Sequence, residues 1–128
     1  MKEVDRVWLA CAIDGEGTIN EQLKRGKYKT IKVQIGNTSE EFIKKASKLM
    51  RTKYYRIHRA TRKPFFIVEA CKRNLVLEIL REVLPHLIIK RDIAEKEIEW
   101  IQKNPPLSPS ECLKRAHEAR RKKFAKLW

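Results

Sequence analysis

Residues 4–13 hold Val4, Val7, Trp8, Leu9, Ala10, Cys11, Ala12 and Ile13. A helix apolar almost all round is buried on more than one side. Gly15 and Gly17 stop it, because glycine permits the sharp turns that end helices. The period then changes to two. Thr18, Asn20, Gln22 and Lys24 alternate with Ile19, Glu21 and Leu23. After a turn at Arg25-Gly26-Lys27, Thr30, Lys32 and Gln34 alternate with Ile31, Val33 and Ile35. This pattern predicts a hairpin with one apolar face and one polar, basic face, ending at Gly36-Asn37. Thr38-Ser39-Glu40-Glu41 fits a capping box and opens a helix through about residue 50, with Phe42, Ile43, Ala46, Leu49 and Met50 inward. A second two-strand unit is expected over 54–62 and 65–71, turning at Lys63-Pro64. In it Arg56 and His58 alternate with Tyr55 and Ile57, and Phe66, Val68 and Ala70 with Phe65, Ile67 and Glu69. A third helix over 75–84 ends near Pro85, and a fourth runs from Asp92 to about residue 103. Asn104-Pro105-Pro106 breaks the chain, and Ser110 is expected to cap a last basic helix over about 110–127.

The predicted order is αββαββα plus two C-terminal helices, in one domain over residues 1–128 with its core in about 4–103. Two amphipathic hairpins can form one sheet whose apolar face packs on the helices and whose other face stays polar and positive. A two-stranded ribbon of that kind suits a DNA major groove, which presents a distinct donor and acceptor pattern for each base pair.

Composition narrows the picture. With 128 residues, 42% of them hydrophobic, the chain can bury one core but not two. Its apolar runs fall far short of the roughly 20 residues that cross a bilayer. Acids within the first 17 residues argue against a secretory signal. Cys11, Cys71 and Cys112 are far apart and odd in number, which reads as free thiols in a reducing compartment. The expected location is therefore cytoplasmic or organellar, not secreted, with no membrane partner.

Charge adds the first functional clue. Lys and Arg number 30 against 16 Asp and Glu, a net +14. The excess is uneven. Residues 18–37 hold five bases against Glu21; Arg51, Lys53, Arg56, Arg59, Arg62 and Lys63 fill 51–63 with no acid; residues 111–128 hold seven bases against two acids. Three basic segments in one small domain point to a polyanion, nucleic acid ahead of an anionic membrane surface. Residues 1–17, at net −2, run against this trend. Asp14 and Glu16 stand at a helix C-terminus, where acids oppose the macrodipole. A bound cation reverses that sign, and carboxylates with backbone carbonyls suit Mg²⁺, which takes one or two carboxylates together with substrate phosphates.

Leu9-Ala10-Cys11-Ala12-Ile13-Asp14-Gly15-Glu16-Gly17 resembles the LAGLIDADG motif, and the chain resembles a single-motif LAGLIDADG homing endonuclease. Cys11 departs from the usual glycine at the third position but is also small. The resemblance spans about residues 4–103, because the αββαββα order agrees as well. It implies an α+β fold with a curved antiparallel four-stranded sheet. It also implies an intron-encoded, Mg²⁺-dependent endonuclease that makes double-strand breaks with short 3′ overhangs. Glu16, the eighth motif residue, is the implied catalytic, metal-binding carboxylate, and the Gly15 carbonyl an additional ligand. Asp14 is read as structural, fixing the turn. Trp8, Cys11, Ala12 and Gly15 are the implied dimer contacts, with Cys11 and Gly15 letting two motif helices approach closely. One motif per chain implies a homodimer on a near-palindromic duplex site. Asn37 matches a polar residue that orients water near the metals, although a turn or helix cap explains it equally. Lys90 matches a lysine near the scissile phosphate, where a cation stabilises building charge.

Strand parity supplies the expected DNA-binding residues: Asn20, Gln22, Lys24, Thr30, Lys32, Gln34, Arg56, His58 and Arg62, with Glu69 weaker. Gln and Asn suit adenine, and Arg and Lys suit guanine. Lys and Arg elsewhere are expected on phosphates. His58, His86 and His117 are scattered and form no zinc set; His86 reads as structural, and Trp100 and Trp128 as packing residues. The alternatives are an intron maturase or other non-cleaving nucleic-acid-binding relative, against which Glu16 argues, and a generic basic RNA-binding protein.

Overall fold

The computed structural model describes residues 1–24, 28–105 and 109–125. Its elements run α1 (Glu3–Glu16), β1 (Gly17–Lys24), β2 (Tyr28–Asn37), α2 (Glu40–Met50), β3 (Tyr54–Ile57), β4 (Phe65–Ala70), α3 (Arg73–Val83), a 3₁₀ turn (Leu84–His86), α4 (Arg91–Lys103) and α5 (Pro109–Ala125). The four strands make one antiparallel sheet in the order β1-β2-β4-β3, so β2 and β4 form its centre. The expected α+β order is borne out. The expected turn at 25–27, Pro106 and Trp128 lie outside the described residues.

Local chemistry explains most boundaries. Ser39 caps α2, its hydroxyl accepting the Phe42 N–H at 3.3 Å, and Asn37 Oδ1 accepts the Ser39 N–H at 2.8 Å. Pro85 ends α3 through the 3₁₀ turn, and Nε2 of His86 lies 2.9 Å from Glu3 Oε1, tying that turn back to α1. Small shifts aside (α3 begins at Arg73, α4 at Arg91), three boundaries differ from expectation. α1 continues three residues past Ile13, and Pro109 opens α5, so that Ser110 falls inside its first turn. β3 stops at Ile57 rather than 62, because it is an edge strand whose ladder with β4 ends at the Ile57–Phe65 pair.

One face of the sheet carries Ile19, Ile31, Val33, Ile35, Phe66, Val68 and Ala70 into the core. Leu9 and Ile13 of α1, Ile43, Ala46 and Met50 of α2 and Val76, Ile79, Leu80 and Val83 of α3 close over it, with Ala94 and Ile101 of α4 completing the cluster. Each Leu, Ile, Val, Phe or Met among them contributes about 1.5–3 kcal/mol by leaving water, which is why α1 cannot be peeled from the sheet cheaply. On the opposite face Thr18, Asn20 and Gln22 remain exposed.

Candidate metal centre and nucleic-acid face

The core decides where α1 ends. Gly17 caps it and starts β1 immediately, without a connecting loop. A Cβ on Gly17 would sit 2.9 Å from Ile13 Cα and 3.0 Å from the Gln34 carbonyl oxygen, so only glycine lets helix and sheet meet this closely. The result is a rigid join that holds Asp14, Gly15 and Glu16 at the edge of the sheet.

The two acids of the motif have opposite surroundings. Asp14 Oδ2 accepts the Ile88 N–H at 2.8 Å and Oδ1 the Lys90 N–H at 3.0 Å. Lys90 Nζ in turn donates to the Asp14 carbonyl oxygen at 2.8 Å. Partial burial raises the Asp14 carboxyl, but the backbone donors of Ile88, Lys90 and Ile89 and the Lys90 charge outweigh it, leaving the group below its usual range. Asp14 is thus structural, as expected, and pins the segment before α4 to the end of α1. Lys90, 76 residues away, supplies a cation to this helix end. Glu16 is exposed and makes no side-chain hydrogen bond or ion pair among the described residues.

The donor set can be tested against a metal. Glu16 offers a free carboxylate, and Gly15 lies exposed at the helix end where carbonyls lack helical partners. No three His, Cys, Asp or Glu side chains converge among the described residues. A partial, all-oxygen set suits a hard divalent cation that completes its shell with water and phosphate, and does not suit zinc.

Asn37 and Lys90 fall differently from one another. Lys90 is brought against the motif, whereas the Asn37 side-chain oxygen is committed to the α2 cap and only its amide nitrogen is uncommitted. Along α1 the outward stripe is Val4 (75% exposed), Val7 (40% exposed), Cys11 and Gly15. Ala12, expected at a dimer contact, turns into the core at 5% exposure, because it shares a face with Leu9 and Ile13. Trp8 is half-buried against Phe42 at 5.1 Å between ring centres, with Lys45 Nζ 4.7 Å over its ring.

The sheet register sorts the expected readers. Thr18 pairs with Gln34, Asn20 with Lys32 and Gln22 with Thr30, so these six share the open face. Lys24 ends β1 in the same phase, and its side chain lies outside the described set. Thr30 donates its hydroxyl to the Gln22 carbonyl at 3.2 Å. Glu69 joins this face opposite Gln34, where Lys32 Nζ approaches at 2.8 Å and the Tyr55 hydroxyl donates at 2.6 Å. Those two bonds hold the Glu69 carboxyl below its usual range.

Three readers need correcting. Arg56 pairs with the core-facing Phe66 and therefore occupies the helix side of the sheet. His58 and Arg62 lie beyond β3, where strand parity has no meaning. Thr18, Tyr55, Ile57 and Phe65 were missed on the open face. Tyr55 and Ile57 are as apolar as Tyr54, so β3 alone gives no phase; only pairing with Val68, Ile67 and Phe65 sets it.

Comparison with solved structures decides the architecture. The homing endonuclease I-CvuI, in complex with the I-CreI target, matches 80% of this chain and 69% of its own with a TM-score of 0.62 and 24% identity. The chain has the LAGLIDADG homing-endonuclease fold. The archaeal intron-encoded homing endonuclease I-Vdi141I, complexed with DNA, matches 77% of this chain and 67% of its own (TM-score 0.57, 11% identity). The group I intron-encoded I-CeuI, also complexed with DNA, matches 77% and 52% (TM-score 0.55, 9% identity). No family model and no curated protein sequence matches the chain. The resemblance read from residues 9–17 is thus borne out by the LAGLIDADG fold. No described helix is long and apolar enough to cross a membrane.

Proposed function

We propose that this protein is a site-specific, divalent-cation-dependent DNA endonuclease that acts as a homodimer. The observation that carries the reading is Glu16. In this +14 chain the one motif acid is exposed and without a partner among the described residues, two residues from an acid whose carboxylate accepts two backbone N–H groups. The DNA complexes of structural neighbours with this fold support the substrate class.

Glu16 and the Gly15 carbonyl would hold the cation against a phosphate. When bound, Mg²⁺ there polarises the phosphodiester, acidifies the attacking water and neutralises the leaving oxygen. Lys90, fixed at the same helix end, adds positive charge where the phosphate oxygens gain negative charge. The free amide nitrogen of Asn37 can donate to ordered water. One chain brings one such carboxylate, and cutting two strands takes two. The exposed stripe of Val4, Val7, Cys11 and Gly15 suits a second copy of α1 at short range, since a Cβ on Gly15 would meet nothing within 4 Å. The polar open face then reads bases, and lysines and arginines outside it hold the backbone.

The test is cleavage of the uninterrupted host gene by wild-type and Glu16→Gln protein with Mg²⁺, mapping the cut on each strand. The expected result is a staggered cut by the wild type and retained specific binding without cleavage by the variant. Undiminished cleavage by the variant, or a monomer in sedimentation that still cuts both strands, sinks the reading.

A further inference from the structure

The open face is not uniform. Its rows far from the motif, Gln22–Thr30 and Asn20–Lys32, are built of donors and acceptors. Thr18–Gln34–Glu69, the row that adjoins Gly17 on one side, is polar too. The rows on the other side are different: Gly17 pairs with Ile35, so the next open-face row is Gly36–Ile67–Tyr55, followed by Phe65–Ile57. These rows hold one polar side-chain atom, the Tyr55 hydroxyl, and its proton is committed to Glu69. Lys32 neutralises Glu69 at 2.8 Å, which removes the repulsion that an unpaired carboxylate on this face would exert on a phosphate.

The apolar rows are also rigid. The Phe65 ring lies over Gly36, where a Cβ would come within 2.5 Å of Phe65 Cζ. Arg59 stacks on that ring at 5.1 Å and donates to the Lys63 carbonyl from Nε and Nη2. Ile67, on the open side of the sheet, is sealed to 6% exposure, while Ile57 and Tyr55 stay 37% and 45% exposed. The pair Glu69–Tyr55 keeps the phenol protonated, its pKa pushed up to about 12 by the carboxylate bond.

Building on the endonuclease reading, we propose that the Ile57–Phe65–Tyr55 patch selects thymine by its C5 methyl group at the base pairs nearest the cut, while the β1–β2 rows read outer base pairs by hydrogen bonds. With its proton given to Glu69, the Tyr55 oxygen can only accept, and apart from that one atom the side chains of this patch cannot distinguish bases by their polar edges. In the major groove the thymine methyl is the one apolar feature such a surface can select. Rigidity turns that contact into discrimination, since a locked ring does not rearrange around a missing methyl.

The experiment selects binding sites from a random duplex DNA pool with the wild-type protein in Ca²⁺. The recovered site is then resynthesised with uracil for thymine at its inner positions, a change that removes only the methyl. The expected result is thymine enrichment at inner positions and about a fourfold loss of affinity per methyl removed, the worth of one buried carbon. Uracil at outer positions is expected to change affinity less than about twofold, and Ile57→Asn to abolish the inner penalty. Equal affinity for inner thymine and inner uracil, or enrichment of guanine there, overturns the methyl reading while leaving the endonuclease intact. A pool that yields no bound duplex overturns the endonuclease reading and this inference with it.

Discussion

Acids gather at two places in this basic protein, and the fold treats them in opposite ways. Beneath the hairpin, Glu97 of α4 is 1% exposed and faces Glu21 of β1. Lys29 Nζ lies 3.3 Å from Glu97 and 3.0 Å from Glu21, with Lys96 3.1 Å from Glu21. Lys29 also sits 4.6 Å over the Trp100 ring. Burial, with Glu21 beside it, pushes Glu97 up to about 7, and the hydrogen bond from Glu97, backed by Lys29 and Lys96, pulls Glu21 down to about 2. Lys29 and Lys96 supply that cluster with countercharge from within the chain. At the end of α1 the fold satisfies Asp14 and leaves Glu16 without a partner among the described residues. The first cluster answers its negative charge within the chain, and the second does so for Asp14 but not for Glu16.

That contrast can be broken in four ways. The largest effect falls on Glu16→Gln: cleavage is expected to drop at least about a thousandfold with the midpoint of thermal unfolding unchanged, because no internal bond is lost. A parallel fall in stability would show that Glu16 is structural after all. Asp14→Ala reverses the pattern. Leaving the Ile88 and Lys90 N–H donors without their carboxylate acceptor is expected to cost about 2–4 kcal/mol in denaturant unfolding, with cleavage falling only as the segment before α4 loosens.

The buried pair answers to pH. A carboxyl raised in the folded state binds its proton more tightly there, so the Glu97 contribution is full below about pH 4.5 and is lost as pH rises through about 7. Glu21, lowered, contributes above about pH 4.5 and loses that contribution as pH falls towards 2. Urea titrations between pH 5 and 8 should show wild-type stability falling by at most about 3 kcal/mol, and Glu97→Gln should flatten the slope. A slope of the opposite sign would place the proton elsewhere. Lys90→Met is the smallest test. It removes one bond to the end of α1 and one cation from that helix end, and is expected to cost about 1 kcal/mol of stability and, on the endonuclease reading, about tenfold in cleavage.

Much of the fold was legible because it is written locally. Alternation over Thr18–Lys24 and Thr30–Ile35 marked the hairpin and its polar face, and Thr38-Ser39-Glu40-Glu41 announced the start of α2. Glu16, the proposed metal ligand, was legible only through its motif; an exposed glutamate has no periodicity of its own. Arg56 was misplaced because Tyr54, Tyr55 and Ile57 make β3 apolar on both parities. Ala12 was misplaced because an all-apolar helix does not say which side meets the core.

By itself the sequence determined the order of helices and strands, the basic excess and the motif that ends α1, since propensity, period and charge act between near neighbours. The tertiary structure decided which motif acid is answered, by bringing Ile88 and Lys90 across 74 and 76 residues to Asp14. It also decided which side of β3 meets the open face, through its register on β4. Both depend on partners distant in the chain, and a hydrogen bond or a strand pairing takes its identity from the partner as much as from the residue.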